Sequence, residues 1–476
     1  MKRLSQAALT KLPSWIRQPA YDRTKLQVGM AHLGVGGFHR CHQAEFTDDM
    51  LERRFGPWGV VGINLRPPSL VDSLGPQDGL YTRTLREGDN AELRIIGCIT
   101  EVIDTERDTE AAIAALSRLA ISVVTMTITE KGYCHIPSTG ELDWSHPDIA
   151  ADLYGDSPPR SAPGLLVAAL TRRTAPVTLV SCDNIPANGR ILKSVVCAFA
   201  SRRAPQLLPW IERNVRFPST MVDRIVPATM EQDLTYAASI IGSSDRGAVV
   251  GEPFRQWVIE DDFAGPRPPW DLAGAEFVAD VHGHELIKMR LLNAAQSAFS
   301  YFGALKGLEY TYQSACDPEM AHTVRRMLIE ESSTTVPHVP GMEVGPYIEL
   351  ALARISNPAI RHTNHQVATD GSQKIVQRFL NPIRDRIKAG QSYDTLALAV
   401  AAWIAYLLSA SPAFGGRWQA SDPWATRVAE IGEATPHDVD AIVGAVVGLT
   451  RIFGSDLDTS PFRAVLSWHL RGLLTR

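Results

Sequence analysis

The stretch Val28-Gly-Met-Ala-His-Leu-Gly-Val-Gly-Gly-Phe-His-Arg40 decides the fold. Its first six residues are mostly apolar and read as a short buried strand. They run directly into a glycine cluster, and from Cys41 to Phe55 polar and apolar residues alternate at helical spacing. Strand, glycine turn and helix in this order form the context in which glycines signal a dinucleotide site. Gly34 permits a tight turn, and Gly36 lets backbone approach a pyrophosphate. The free N–H groups of a following helix favour the anion. Gly34, Gly36, Gly37 and Phe38 are therefore the candidate cofactor turn. The third glycine position of G-x-G-x-x-G holds His39, so the motif is imperfect, and a turn without ligand is the competing reading.

Outward from this unit, Trp58-Gly-Val-Val-Gly-Ile-Asn64 reads as a second strand ending in Leu65-Arg-Pro-Pro-Ser69. The end of this strand is where an acid usually meets the adenosine ribose of NAD, and an Arg there suits the 2′-phosphate of NADP. Asn64 and Arg66 stand there with no acid, which points to NADP or to relaxed use of NAD and NADP. A hairpin is expected across Gly88-Asp-Asn90. The β-branched run Ile121–Thr129 leads to Glu130-Lys-Gly-Tyr133, and Val177–Cys182 leads to Asp183-Asn-Ile-Pro. Thr127, Glu130 and Asn184 then lie at strand ends, where open α/β sheets bind ligands.

Past residue 283 strand signals fade and helical periodicity dominates. The expected fold is α/β: an N-terminal Rossmann-type dinucleotide-binding domain over 1–283, then a mostly α-helical C-terminal domain over 284–476. The first helix of the second part, His284–Gly303, contains Lys288, Asn293 and Gln296 in an otherwise apolar run. At about 100° per residue, Asn293 falls roughly 140° and Gln296 roughly 80° from Lys288. All three share one broad sector and can converge on one small molecule. A polar side facing water is the bland alternative.

Composition narrows the function. The chain has 476 residues, 45% hydrophobic and 21% charged, with a formal charge of -5. This is ordinary for a soluble globular protein and gives no reason to expect nucleic acid or an anionic membrane as partner. Six scattered cysteines without a CxxC pair suggest neither a disulfide framework nor a structural zinc site. No signal-like segment or apolar run of about 18 residues is present. A cytoplasmic protein is expected.

Seven motifs occur in order: Gly-Val-Gly-Gly-Phe-His-Arg40, Pro76-Gln-Asp-Gly-Leu-Tyr81, Thr129-Glu-Lys-Gly-Tyr133, Ser181-Cys-Asp-Asn-Ile-Pro-Ala-Asn-Gly189, Met221-Val-Asp-Arg224, Lys288-Met-Arg-Leu-Leu-Asn293 and Asp370-Gly-Ser-Gln-Lys374. Together they resemble the polyol-specific long-chain dehydrogenases, the mannitol dehydrogenase family. The resemblance covers about residues 26 to 380. It implies NAD- or NADP-dependent, metal-independent interconversion of a secondary alcohol of a polyol or sugar acid with its ketone. The substrate would be a polyol, ketose or hexuronate, handled by a monomer or small homo-oligomer. By the same resemblance Lys288 is the general base, Asn184 and Asn293 form the oxyanion site, Lys374 holds substrate, and Asp223 lies near cofactor and substrate. The sequence departs from the family at Gln296, where a substrate-contacting His is usual, and at Gln366, where an Arg is expected. A weakened member that binds cofactor or sugar without efficient turnover is the alternative. Two amide donors suit the charge that builds on the alcohol oxygen, and a Lys withdrawn from water can accept its proton.

Overall fold

The computed structural model describes residues 1–136, 139–155 and 157–475. It divides into two compact units, Met1–His282 and Gly283–Arg476.

The first unit is built on a parallel sheet. Its strands are β1 (Val28–Leu33), β2 (Gly59–Asn64), β5 (Ile99–Asp104), β6 (Val123–Met126), β7 (Val177–Ser181) and β8 (Val215–Arg216). They lie in the order β5-β2-β1-β6-β7-β8 and every pairing is parallel. This is the doubly wound order in which the strand sequence reverses beside β1. Successive residues point to opposite faces, so the sheet feeds two cores. Ala31, Leu33, Val61 and Ile63 join one apolar cluster. Met30, Val60, Val123 and Val180 join the other. Two small sheets complete the unit. One holds β3 (Tyr81–Glu87), β4 (Asn90–Ile96) and β10 (Val249–Gly251). The other holds β9 (Thr220–Asp223), β11 (Gln256–Glu260) and β12 (Glu276–Val278). The β3–β4 pairing runs from Tyr81↔Ile96 to Glu87↔Asn90 and closes the hairpin over Gly88, as the sequence suggests.

After the glycine turn the structure differs from the expected single helix. A short helix α1 (Gly37–Cys41) breaks at His42, with φ -130° and ψ -87°, and α2 (Gln43–Arg53) resumes. Long-range contacts hold the break: His42 Nε2 meets the Gln256 carbonyl at 2.9 Å and its ring meets Trp257 edge-on at 5.9 Å.

Helix α2 is buried from Gln43 to Leu51, including Glu45, Asp48 and Asp49. Arginines from separate segments neutralise these acids. Arg94 of β4, 0% exposed, meets Asp48 at 2.5 Å and Asp49 at 2.6 Å. Arg83 of β3 lies 3.2 Å from Glu45, and Arg224 is paired with the same carboxylate. Arg255 and Arg17 each lie 2.7 Å from Asp49.

The second unit is helical. Helix Asp394–Leu408 packs against Ser460–Leu474 and Ala294–Lys306. It is buried almost all round, with Val400, Trp403 and Ile404 at 0% exposure, as suits a central helix. The Glu331 carboxylate accepts from Thr395 N at 2.9 Å and Leu396 N at 2.8 Å, which caps its N-terminus. Three segments depart from α geometry and form π-helix: Lys288–Asn293, Met327–Ser332 and Val376–Leu380. Among the described residues no helix is long and apolar enough to cross a membrane.

The α2 network sets an acid limit. Burial pushes the Glu45 carboxyl up from 4.5, but Arg224, Arg83 and Arg255 outweigh it and hold it at about 2. Burial is likewise outweighed at Asp49, by Arg94 and Arg255, and its pKa falls from 3.8 to about 2. Both folded values lie below the unfolded ones. Their contribution is therefore complete above pH 4.5 and is lost as pH falls toward 2. Urea unfolding at successive pH values should show stability falling across this window, and Glu45→Gln should flatten part of the slope. An unchanged slope in that variant refutes the assignment.

Candidate active site

The glycine turn is held at the carboxyl ends of three strands. Gly34 N donates to Ile63 O of β2 at 2.8 Å, and Thr127 N donates to Leu33 O of β1 at 2.9 Å. Thr127 Oγ1, just beyond β6, donates to Gly34 O at 2.8 Å. Gly34 has φ +83°, and a Cβ there would meet Thr127 O at 2.2 Å. Packing and backbone both require glycine at this position. Gly36 is different. Its φ is -79°, and a Cβ would meet nothing nearer than Gly34 O at 3.9 Å. Neither packing nor conformation calls for glycine there, whereas close approach of a ligand does. This is the observation by which the turn fits a dinucleotide. Gly37 and Phe38 follow as the first residues of α1, both half-buried.

His39, at the third glycine position, is accommodated by stacking. Its ring lies on His32 of β1 with centroids 3.4 Å apart. The His32 ring in turn meets Thr125 Oγ1 at 2.7 Å and Thr127 Oγ1 at 2.9 Å. Burial drives the pKa of His32 down to about 3, so it is neutral at physiological pH. Two flat rings give the close helix-to-strand packing that a third glycine usually provides.

Asn64 and Arg66 sit at the end of β2. The Asn64 amide donates to the carbonyls of Arg66 at 2.5 Å and Pro68 at 2.8 Å, so it shapes the turn. Arg66 is exposed, and its guanidinium meets Asp148 at 2.6 Å. A second acid comes from the neighbouring strand. Asp104 closes β5 and accepts from Ser69 Oγ at 2.5 Å and Leu70 N at 2.9 Å. Sequence reading missed both acids, because each reaches the turn from another segment.

Glu130 lies in the helical turn Thr129–Gly132. Asn184 is exposed in the turn after β7, and Asp223 closes β9 and is buried. The group tying these strand ends together is Asp183, which has no role assigned from sequence. Its carboxylate accepts from Ile128 N and Thr129 N, each at 2.9 Å, and from the Tyr133 hydroxyl at 2.8 Å. Burial raises its pKa to about 7. Asn188 adds a second tie, donating to Asp183 O at 3.0 Å and Thr220 O at 2.9 Å. Thr129 (φ 63°) and Ala187 (φ 50°), which flank this cluster, are non-glycine residues in left-handed conformation. Such strain costs on the order of 1–3 kcal/mol each and persists where surroundings enforce it.

In the second unit Lys288 and Asn293 bound the π segment, at 4% and 3% exposure. The α-helical spacing expected from sequence is corrected here. Ala294 N bonds to Met289 O, five residues back. A π turn, with its hydrogen bonds five residues back, brings Lys288 and Asn293 closer on one face than the roughly 140° of an α-helix. The helix then returns to α over Ala294–Lys306. Gln296, three residues past Asn293, extends the same face. Lys374 belongs to the turn Gly371–Ile375, which starts after Asp370 at φ 54°. Its Nζ donates to Thr369 O at 2.5 Å and Val367 O at 3.3 Å. Gln366 N and side chain form a capping box with Thr363, so Gln366 has a local structural role.

A parallel sheet of this order, with a glycine turn open at its carboxyl edge, defines a Rossmann-type dinucleotide-binding protein. The chain belongs to the mannitol dehydrogenase family of oxidoreductases. Residues 28–272 match the mannitol dehydrogenase Rossmann domain and residues 280–465 the mannitol dehydrogenase C-terminal domain. It is 39% identical to D-mannonate oxidoreductase of Escherichia coli, over 93% of this chain and 92% of that protein. It is 38% identical to mannitol 2-dehydrogenase of Phaeosphaeria nodorum, over 99% and 83%. Its structure is similar to Pseudomonas fluorescens mannitol 2-dehydrogenase, solved as a ternary complex with NAD and D-mannitol. The TM-score is 0.90 and the identity 34%, over 99% of this chain and 96% of that one.

The two glycines separate stability from binding. Gly34→Ala should destabilise the protein by about 1–3 kcal/mol or more, read by urea unfolding. Gly36→Ala should leave stability unchanged and weaken NAD binding by about tenfold, or 1.4 kcal/mol, read by fluorescence titration. Equal binding in Gly36→Ala and wild type contradicts a ligand role for this turn.

Proposed function

We propose that the protein is an NAD- or NADP-dependent dehydrogenase interconverting a secondary alcohol of a polyol or sugar acid with its ketone. The observation that carries this reading is the π turn that sets Lys288 and Asn293 on one face of a buried helix. Withdrawal from water favours the neutral form of an amine, the form that can take the hydroxyl proton. The Asn293 amide supplies N–H donors for the oxygen on which charge develops, and the family resemblance implies the same role for Asn184. The nicotinamide ring, when bound, accepts the hydride. Lys374 and Gln296 are the substrate contacts of the second unit. Asp223 and the Asp183-braced turn serve cofactor and substrate from the first. Similarity to a mannonate oxidoreductase and to mannitol dehydrogenases supports a mannitol- or mannonate-like substrate. Gln296 cannot titrate, which favours a second reading: binding of cofactor and sugar without efficient turnover.

An absorbance assay of NADH and NADPH over polyols, ketoses and hexuronates separates the two readings. Cofactor binding without turnover of any substrate would support the second. Lys288→Ala should lower kcat by about 100-fold or more, the scale of general base catalysis. Wild-type turnover in that variant would remove Lys288 as the base.

Cofactor choice is expected to depend on the Arg66–Asp148 pair. A 2′-phosphate must compete with Asp148 for the guanidinium, and an exposed pair is worth about 0.2–1 kcal/mol. Asp148→Asn should therefore raise the NADP/NAD ratio of kcat/KM about two- to fivefold, and Arg66→Ala should lower it. A ratio that neither change moves excludes Arg66 from the cofactor site.

A further inference from the structure

The face that carries Lys288 and Asn293 is fixed from behind by one side chain. Arg378 is buried, and its Nη1 donates to Asn293 O at 3.1 Å and to Ser297 Oγ at 2.7 Å. Both acceptors lie at or just past the point where π-helix returns to α-helix. There the backbone changes its hydrogen-bond register, and the orientation of the Asn293 amide depends on where the change falls. Charge-assisted donation to a carbonyl and to a hydroxyl one turn on pins that junction.

Arg378 itself sits in the π segment Val376–Leu380, which continues directly from the turn that carries Lys374. The two π segments pack together. One side chain thus couples the segment of the proposed base and oxyanion donor to that of the proposed substrate lysine. A guanidinium serves here better than an ammonium, because the two N–H groups of Nη1 lie in one fixed plane and serve both acceptors.

We propose that Arg378 is a positioning residue for the reaction: through the Asn293 carbonyl and the Ser297 hydroxyl it holds the Lys288–Asn293 turn in register. The proposal rests on Lys288 and Asn293 acting as described above. It differs from a purely structural role in what its loss changes. Misplaced reacting groups lower kcat, because the interactions lost are those made in the transition state, and leave ground-state binding intact.

The test compares wild type with Arg378→Gln and Arg378→Lys by steady-state kinetics, NADH titration and thermal unfolding. In the Gln variant kcat should fall at least tenfold, with KM and NADH affinity within twofold of wild type. In the Lys variant part of the loss should be recovered. Where the Gln variant does not fold, the Lys variant decides alone, with an expected loss of about threefold or more in kcat. Wild-type kcat in the folded variants overturns the proposal, and so does a rise in KM with kcat unchanged. Lys288→Ala, run in parallel, keeps the two readings apart. Its loss of turnover beside active Arg378 variants rejects only the positioning role, whereas its full turnover removes the base assignment on which that role rests.

Discussion

The first unit depends on the burial of three acids on α2 against arginines brought from across the chain. Glu45, Asp48 and Asp49 lie inside, and their partners Arg83, Arg94, Arg224 and Arg255 come from segments far apart in sequence. Buried charges are costly unless paired, and removing one partner typically costs about 3–5 kcal/mol. The network therefore acts less as a source of net stability than as a condition on assembly. Residues of both small sheets or next to them pair with α2 in the folded unit. Because α2 follows the glycine turn after only the short α1, docking α2 also fixes where that turn ends.

A second constraint acts at the carboxyl edge of the parallel sheet. Gly34 packs with no room to spare against the Thr127 carbonyl, and Thr127 returns a hydrogen bond to Gly34 O. Asp183 then binds the next strand end through Ile128 N and Thr129 N. The ends of β1, β6 and β7 are joined by short polar contacts, with strained residues at Thr129 and Ala187. Such an edge is preorganised: the rigid sheet carries the strain, and the turn residues present their groups in one arrangement.

In the second unit the same role falls to helix geometry. The π turn brings Lys288 and Asn293 closer on one face than the expected α spacing does. A π turn is uncommon and frequent at functional sites. Here it is accompanied by an external donor at its exit, Arg378. Gln296 and Gln366, the departures from the family pattern, differ in setting. Gln296 extends the face of Lys288, whereas Gln366 is occupied in a capping box with Thr363.

The sequence by itself determined the Rossmann-type α/β class, the glycine turn and the change to helices near residue 283. These are local or short-range signals: apolar and β-branched runs, glycines after a strand, and the disappearance of β-rich segments. It also placed Thr127 and Asn184 at strand ends. Tertiary structure decided the rest. The break at His42 is held by the Gln256 carbonyl and the Trp257 ring. The pairing of Arg66 with Asp148 joins residues 82 positions apart. The π register of Lys288–Asn293 has no signature in residue type, because α and π turns share the same side-chain preferences and differ in which carbonyl each N–H meets. That choice is made by packing, and packing depends on the whole chain.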